Sequence, residues 1–293
     1  VRYLMRIEKR IGGVRAFVQA ARRENRSVGL VPTMGAFHEG HLSLIRRSVN
    51  DNDVTIVSIF VNPTQFGPNE DYQAYPRDLE RDAVLAERQG VAVVFAPDPQ
   101  EMYPPDFSTW IQVAQVSEGL CGSHRPGHFQ GVATVVCKLF NIVQPDRAYF
   151  GEKDFQQLQV IRRMVRDLDL PVGIVPVPTT READGLAMSS RNKYLTAEQR
   201  KAAPKLHQAL QAGAKLVAQG ATGGQAVEAV QAELAREKLL TPQYVVAVDP
   251  DNLTDKSDQG RPLVLAAAVL VGNTRLIDNV KVNGDSGGDT RNV

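Results

Sequence analysis

Two histidines stand three residues apart in "VPTMGAFHEGHLSLI", residues 31–45, where an apolar run gives way to a helical pattern. They are His38 and His41, two of the chain's 5 histidines, with Gly35 before them and Gly40 between them. A glycine-bearing turn from strand into helix presents unpaired backbone N–H groups at the positive end of the helix dipole, a seat for phosphate. Side chains at i and i+3 on a first turn share a face, so both imidazoles can address one anion. Imidazolium, or a neutral ring donating one N–H, stabilises charge growing on phosphorus oxygens as a leaving group departs. Gly40 lets a purine or ribose approach the backbone. The competing reading has one histidine cap the helix while the other packs on it.

Downstream, "DGLAMSSRN" sets Ser189, Ser190 and Arg191 in a polar segment. From a mobile loop they can donate to a triphosphate, Arg191 to two oxygens at once. Paired with HxGH, this stretch resembles the HIGH and KMSKS motifs of nucleotidyl-transferring α/β enzymes. That resemblance implies attack on the α-phosphate of ATP with loss of pyrophosphate. In "YFGEKDFQQLQVI", Lys153 lies at a strand's carboxyl edge, where open parallel sheets bind ligands, and its ammonium can neutralise triphosphate charge. Gln157 lies one turn into the next helix. "SIFVNPTQFGPNEDYQAYPR" offers Asn62 and Gln65 in the same way, and amides suit a neutral, hydroxyl-bearing substrate. Asp82 reads as an exposed helix carboxylate, weakly placed to assist a metal.

These groups need a scaffold of alternating elements. β-rich runs at 28–32, 54–61, 91–96, 147–150 and 172–177 alternate with helical patterns at 41–50, 79–89, 133–143 and 155–167. Parallel neighbours require crossovers of this kind, so the expected fold is α/β, a Rossmann-like parallel sheet over residues 1–179. Asp154 is the expected N-cap of the last helix and Pro171 lies beyond its end. After about residue 181 the texture changes. Helical stretches at 196–219, interrupted by Pro204, and 224–238 precede strand-like runs at 244–248, 262–271 and 274–279. Helices followed by strands predict a smaller C-terminal α+β domain over 180–283, which carries or adjoins the SSR motif and acts as a lid. The polar tail, 284–293, reads as disordered.

Composition narrows the class. Lys+Arg 34 against Asp+Glu 33 leaves +1, so no global charge points to nucleic acid or a membrane surface. The longest purely apolar run, 263–271, is about half of what a bilayer span needs. The N-terminal stretch lacks the pattern of a signal peptide. Cys121 and Cys137 stand apart without a CxxC pair, which fits neither a zinc site nor a disulfide scaffold. The expectation is a cytoplasmic enzyme with small-molecule substrates, no nucleic acid and no membrane.

Taken together, "PTMGAFHEGH", "VSIFVNPTQFGPNEDYQAYPRD", "RPGHFQGVATVV", "GEKDFQQL" and "PTTREADGLAMSSRNKYL" closely resemble the pantoate–β-alanine ligase family in order and spacing. The resemblance implies ATP-dependent condensation of (R)-pantoate with β-alanine through a pantoyl adenylate, releasing pyrophosphate and then AMP. Carried over by position, it puts ATP against Met34, Gly35, Ala36, Phe37, His38, Glu39, Gly40 and His41. Gly151, Glu152, Lys153 and Asp154, Thr180 beside the adenine, and Met188, Ser189, Ser190 and Arg191 join them. His41 is the implied proton donor; His38, Lys153 and Arg191 complete the catalytic group. Gln65 and Gln157 form the implied pantoate clamp, Gln65 also near the β-alanine path, with Asn62 beside them. Mg²⁺ with ATP is implied by the triphosphate chemistry, and a homodimer by the resemblance. The rivals are a HIGH-type enzyme passing AMP to a phosphate ester, and a nucleotide-sensing or RNA-binding module without turnover.

Overall fold

Val- and Ile-rich runs without polar alternation suit strands covered on both faces, and they build the central sheet of the first unit. The structure, a computed structural model, describes residues 4–68 and 70–283; the tail expected to be disordered, 284–293, lies outside the described residues. The chain divides into two compact units, Val1–Thr180 and Arg181–Val293. The cut falls just after Thr180, whose Oγ1 donates to Ser43 Oγ at 3.1 Å and so ties this residue to the first unit.

In the first unit the elements run β1 (Arg6–Glu8), α1 (Ile11–Arg23), β2 (Val28–Thr33), α2 (Glu39–Asp51), β3 (Val54–Ile59), α3 (Leu79–Arg88), β4 (Val93–Phe95), α4 (Pro99–Met102), α5 (Cys121–His124), α6 (His128–Val143), β5 (Arg147–Gly151), α7 (Phe155–Asp167) and β6 (Gly173–Val177). Six strands pair in the order β1-β4-β3-β2-β5-β6, every ladder parallel. The chain steps from β2 outward to β4 on one side, then resumes on the other with β5 and β6. The order therefore reverses between β2 and β5, and a crevice at the carboxyl ends is expected there. Pairing between these two strands is confined to Gly29 with Arg147 and Leu30 with Ala148.

Several elements depart from the sequence reading. β1 and α1 precede every expected element. α1 buries Val14, Phe17, Val18 and Ala21, the spacing of one helical face. α6 begins at His128 rather than 133, released from the preceding loop by Gly127 at φ 80°. Asp154 makes no side-chain capping bond to α7, contrary to expectation.

The second unit holds α8 (Ala197–Ala202), α9 (Lys205–Ala218), α10 (Gly223–Leu234), β7 (Leu240–Val248), β8 (Leu263–Val271) and β9 (Thr274–Val282). Pro204 separates α8 from α9 as its missing N–H demands. Thr196 and Thr222 cap α8 and α10 reciprocally with Gln199 and Gln225. The strands form an antiparallel sheet, β7-β8-β9. Leu206, Leu210, Val230 and Leu265 are buried in its core.

Candidate active site

The turn from β2 into α2 is built around an internal anion. Gly35 and Ala36 take φ values of 82° and 54°, which aims consecutive amides at one point. That point is the Asp82 carboxylate on α3: Ala36 N–H donates to Oδ2 at 2.6 Å and Phe37 N–H to Oδ1 at 2.8 Å. Asp82 is only 1% exposed, so the reading of an exposed helix carboxylate is corrected. Burial raises its pKa, and the two amides pull it back in part. Gly35 N–H is spent on Thr33 Oγ1 at 3.1 Å. The expectation that these amides wait for a phosphate is therefore corrected as well: their nest already holds a carboxylate. A Cβ at Gly35 would meet Asp82 Oδ2 and Ile59 Cγ2 at 3.0 Å, so even alanine would crowd the turn.

His38 and His41 do cap α2. Gly40 N–H donates to His38 Nδ1 at 3.1 Å, and His38 N–H faces His41 Nδ1 at 3.4 Å. The competing reading, in which one histidine caps and the other packs, is met only in part, because both side chains take backbone N–H groups. It does not exhaust the residues, because capping through Nδ1 leaves the ring proton of His41 on Nε2. The two rings lie 4.1 Å apart, centroid to centroid. Burial, then the neighbouring His38 and Lys153 charges, pull the His41 pKa down to about 3. Of the two states considered from sequence, this environment favours the neutral hydrogen-bond donor near neutrality. Glu39 turns instead to Arg46, with which it pairs.

Lys153 reaches this site from the carboxyl end of β5. Gly151 closes the strand, and Glu152–Asp154 make one 3₁₀ turn before α7. The Lys153 charge bears on His41, and that of Asp154 on His128 at the start of α6. Thr180 completes the same corner through Ser43 on α2.

After β3, Asn62 and Gln65 bracket a 3₁₀ turn, Pro63–Gln65. Asn62 is 1% exposed, and its amide is fully engaged. Nδ2 donates to Gln65 Oε1 at 3.0 Å and to Gly131 O at 3.2 Å; Oδ1 accepts from Tyr103 at 2.9 Å and Thr64 at 3.0 Å. With two donors and two acceptor positions used, Asn62 has none for a ligand, which corrects its assignment to substrate contact. It aims Gln65 instead. Gln65 Nε2 lies 3.3 Å from Met34 Sδ, joining this turn to the histidine turn. The side chain of Gln157, half-buried on α7, makes no hydrogen bond among the described residues, whereas Gln156 beside it is consumed by Cys121 N–H and two carbonyls.

In the second unit, the SSR segment is anchored rather than loose. Arg181 grips Asp278 through two bonds, 2.7 and 2.9 Å, and donates to Gly185 O at 3.1 Å. Arg200 on α8 holds Glu182 at 2.5 Å and Asp184 at 2.6 Å, and keeps the Asp184 carboxyl below its usual range. Asn192 donates to Glu182 at 2.9 Å and Ala187 O at 3.1 Å. Between these ties, Met188 and Ser189 lead into a 3₁₀ turn, Ser190–Tyr194, with Ser189 Oγ accepting the Arg191 amide at 3.3 Å.

The model of the family "Pantoate-beta-alanine ligase" matches residues 6–281. The chain belongs to the pantoate–β-alanine ligase family. This ligase is 57% identical over 282 residues to the pantothenate synthetase of Moorella thermoacetica, covering 94% of this chain and 98% of that one. It is 51% identical to that of Caldicellulosiruptor bescii, covering 95% and 99%. A crystal structure of the Thermus thermophilus pantothenate synthetase superposes with a TM-score of 0.91 at 49% identity, covering 96% of this chain and all, 100%, of that one. The Francisella tularensis pantoate–β-alanine ligase, solved with β,γ-ATP and β-alanine, superposes at 0.78 with 34% identity, covering 95% and 98%. The ligase thus forms amides, and the rival reading of AMP transfer to a phosphate ester is not favoured. Sequence reasoning missed the anchoring role of Asp82 and passed over Glu70, Arg125, His128 and Gly131. Only the "RPGHFQGV" stretch, already quoted for the resemblance, pointed toward the last three.

Proposed function

We propose that the crevice between β2 and β5 activates pantoate as its adenylate and then passes the acyl group to β-alanine. The reaction is the ATP-dependent condensation of pantoate with β-alanine to pantothenate, AMP and pyrophosphate. One observation carries the reading: Met34, in the histidine turn, meets the Gln65 amide at 3.3 Å, so a phosphate side and a hydroxyl-acid side share one edge. The Francisella relative, solved with β,γ-ATP and β-alanine, supports the same choice of ligands.

Roles follow from the chemistry. His41, neutral, donates from Nε2 to a phosphate oxygen as the pantoate carboxylate attacks the α-phosphorus, and His38 holds its ring. Lys153 offsets charge accumulating on the departing pyrophosphate. Gln65 and Gln157 hold the acid by its hydroxyls, and amides discriminate against a charged acceptor such as a phosphate ester. Thr180 lies with the adenine, while Met188, Ser189, Ser190 and Arg191 bind phosphates. The second half-reaction needs no new acid, because an acyl phosphate anhydride already carries its leaving group.

Mg²⁺ is expected with ATP, but the residues do not form a protein-held site for it. Among the described residues no group of three candidate ligands gathers, and Asp82 spends both oxygens on amides. No helix among the described residues is long and apolar enough to cross a membrane. A cytoplasmic homodimer accords with the family resemblance, and sedimentation would test the dimer. Exchange of labelled pyrophosphate into ATP, with pantoate present and β-alanine absent, tests the adenylate; exchange that ignores pantoate would overturn it.

A further inference from the structure

Behind Gln65 lies a chain of three side chains whose polarity is fixed from one end to the other. Glu70 accepts from Arg125 Nε and Nη2, both at 2.6 Å. Arg125 Nη1 stands 3.0 Å from His128 Nε2, and His128 Nδ1 stands 2.8 Å from the main-chain oxygen of Gln65. A guanidinium can only donate, so His128 Nε2 must be the acceptor and its proton must sit on Nδ1. The imidazole then donates to the Gln65 carbonyl, to which Arg125 Nη2 adds a second contact at 3.3 Å. Each junction admits one assignment: carboxylate from guanidinium, guanidinium to imidazole, imidazole to carbonyl.

The chain lies inside the protein. Side-chain exposure is 15% for Arg125 and 25% for Glu70, and His128 is 8% exposed. Burial alone would raise the Glu70 pKa, but the Arg125 guanidinium outweighs it and holds the carboxyl below its ordinary range. Burial and the Arg125 charge hold His128 down at about 4, so it stays neutral as the bond pattern requires. All of this converges on the main chain of the one residue whose side chain Asn62 also fixes, at 3.0 Å through Oε1. The Gln65 amide is thereby held at both its backbone and its tip. Restricting a binding amide in this way lowers the ordering cost of each new hydrogen bond to substrate.

We propose that Glu70, Arg125 and His128 are positioning residues that set the affinity for pantoate by fixing Gln65, without touching substrate themselves. This rests on the assignment of Gln65 to the pantoate clamp. His128→Phe removes both ring bonds at similar volume, while His128→Asn keeps an amide donor near the Nδ1 position. Glu70→Gln keeps shape and hydrogen-bonding capacity but not charge.

Michaelis constants for pantoate and ATP from pyrophosphate exchange, together with pantoate affinity by calorimetry on the same proteins, decide the matter. His128→Phe should weaken pantoate by about tenfold or more and leave ATP within about twofold, since one or two lost hydrogen bonds correspond to that range. His128→Asn should recover much of the loss, and Glu70→Gln should fall between. Equal losses for both substrates, unchanged pantoate affinity, or an asparagine variant as poor as phenylalanine would each overturn the proposal. Should His128→Phe fail to fold, His128→Asn and Glu70→Gln carry the same comparison. Absence of exchange in the unsubstituted enzyme would count against the adenylate, whereas calorimetry would still decide the positioning chain.

Discussion

The Asp82 carboxylate binds the Ala36 amide at 2.6 Å and, through its other oxygen, the next amide along at 2.8 Å. A residue on α3 thereby dictates the path of the turn that carries His38 and His41. Removing it strands two buried N–H groups, each at about 1–3 kcal/mol, so Asp82→Ala should cost about 2–6 kcal/mol of stability. Asp82→Asn should lose part of this, because its NH₂ would face a donor. Both should raise the Michaelis constant for ATP. Urea unfolding and ATP kinetics check the pair; a stable Asp82→Ala protein with normal ATP kinetics would show that the turn holds itself.

His41 should matter far more to the transition state than to the fold, where its loss removes only one capping bond to His38 N–H. A neutral donor aimed at growing phosphate charge contributes most when that charge appears, so His41→Ala should lower turnover by about 10²–10³. Lys153→Ala should act in the same direction. Near-normal turnover in His41→Ala would remove it from the mechanism.

The same histidine gives a pH signature. Its folded pKa of about 3 lies below the ordinary 6.5, and His128, at about 4, has the same sign. Well above pH 6.5 neither group is protonated in either state, so their contribution is constant. As pH falls below this, the unfolded chain takes up protons that the folded chain refuses, and stability declines until the folded pKa values are reached. Between pH 7 and 5 the unsubstituted protein should lose more denaturant stability than His41→Gln or His128→Asn does. Parallel losses would contradict the depressed values.

How much of this was legible depends on range. The parallel sheet, the site loops at its carboxyl edge and the Pro204 break followed from local patterns: Val and Ile runs, a glycine turn and a missing N–H. β1 has only three residues and no alternation, so nothing in its composition marks a strand until β4 lies beside it. Asp82 looked exposed because Glu80 and Arg81 before it are charged; its partners, Ala36 and Phe37, lie far back in the chain. Asn62 looked like a ligand for the same reason. A sequence reveals that an amide is present but not that Gly131, Tyr103 and Gln65 have already claimed it.

Gly131 illustrates such a long-range constraint. A Cβ there would stand 2.3 Å from Thr64 O and 2.8 Å from Gln65 N, both main-chain atoms that cannot swing aside. Gly131→Ala should therefore push the 3₁₀ turn outward and weaken pantoate binding more than ATP binding. Calorimetric titration of each ligand separates the two; equal effects would point to general unfolding.

Gln157→Ala tests the other half of the clamp. It deletes a side chain with no hydrogen-bond partner among the described residues, so stability should hardly change. Pantoate binding should weaken by roughly 0.5–1.5 kcal/mol, the net value of one neutral hydrogen bond. ATP affinity should stay put, and equal losses in both titrations would refute the placement.

Arg191 allows the two half-reactions to be told apart. Its segment is tied to the second unit by Asn192 and by the Arg200 pairs, so Arg191→Ala should leave that scaffold standing. If the guanidinium binds phosphates, it matters while pyrophosphate is leaving and little afterwards. Arg191→Ala should then slow adenylate formation strongly, yet barely affect the reaction of preformed adenylate with β-alanine. Quenched single-turnover kinetics follow each step on its own. Equal slowing of both would assign Arg191 a structural role. Slowing of the second step alone would place it with β-alanine, because the only anionic group that enters after pyrophosphate has departed is the carboxylate of that amine.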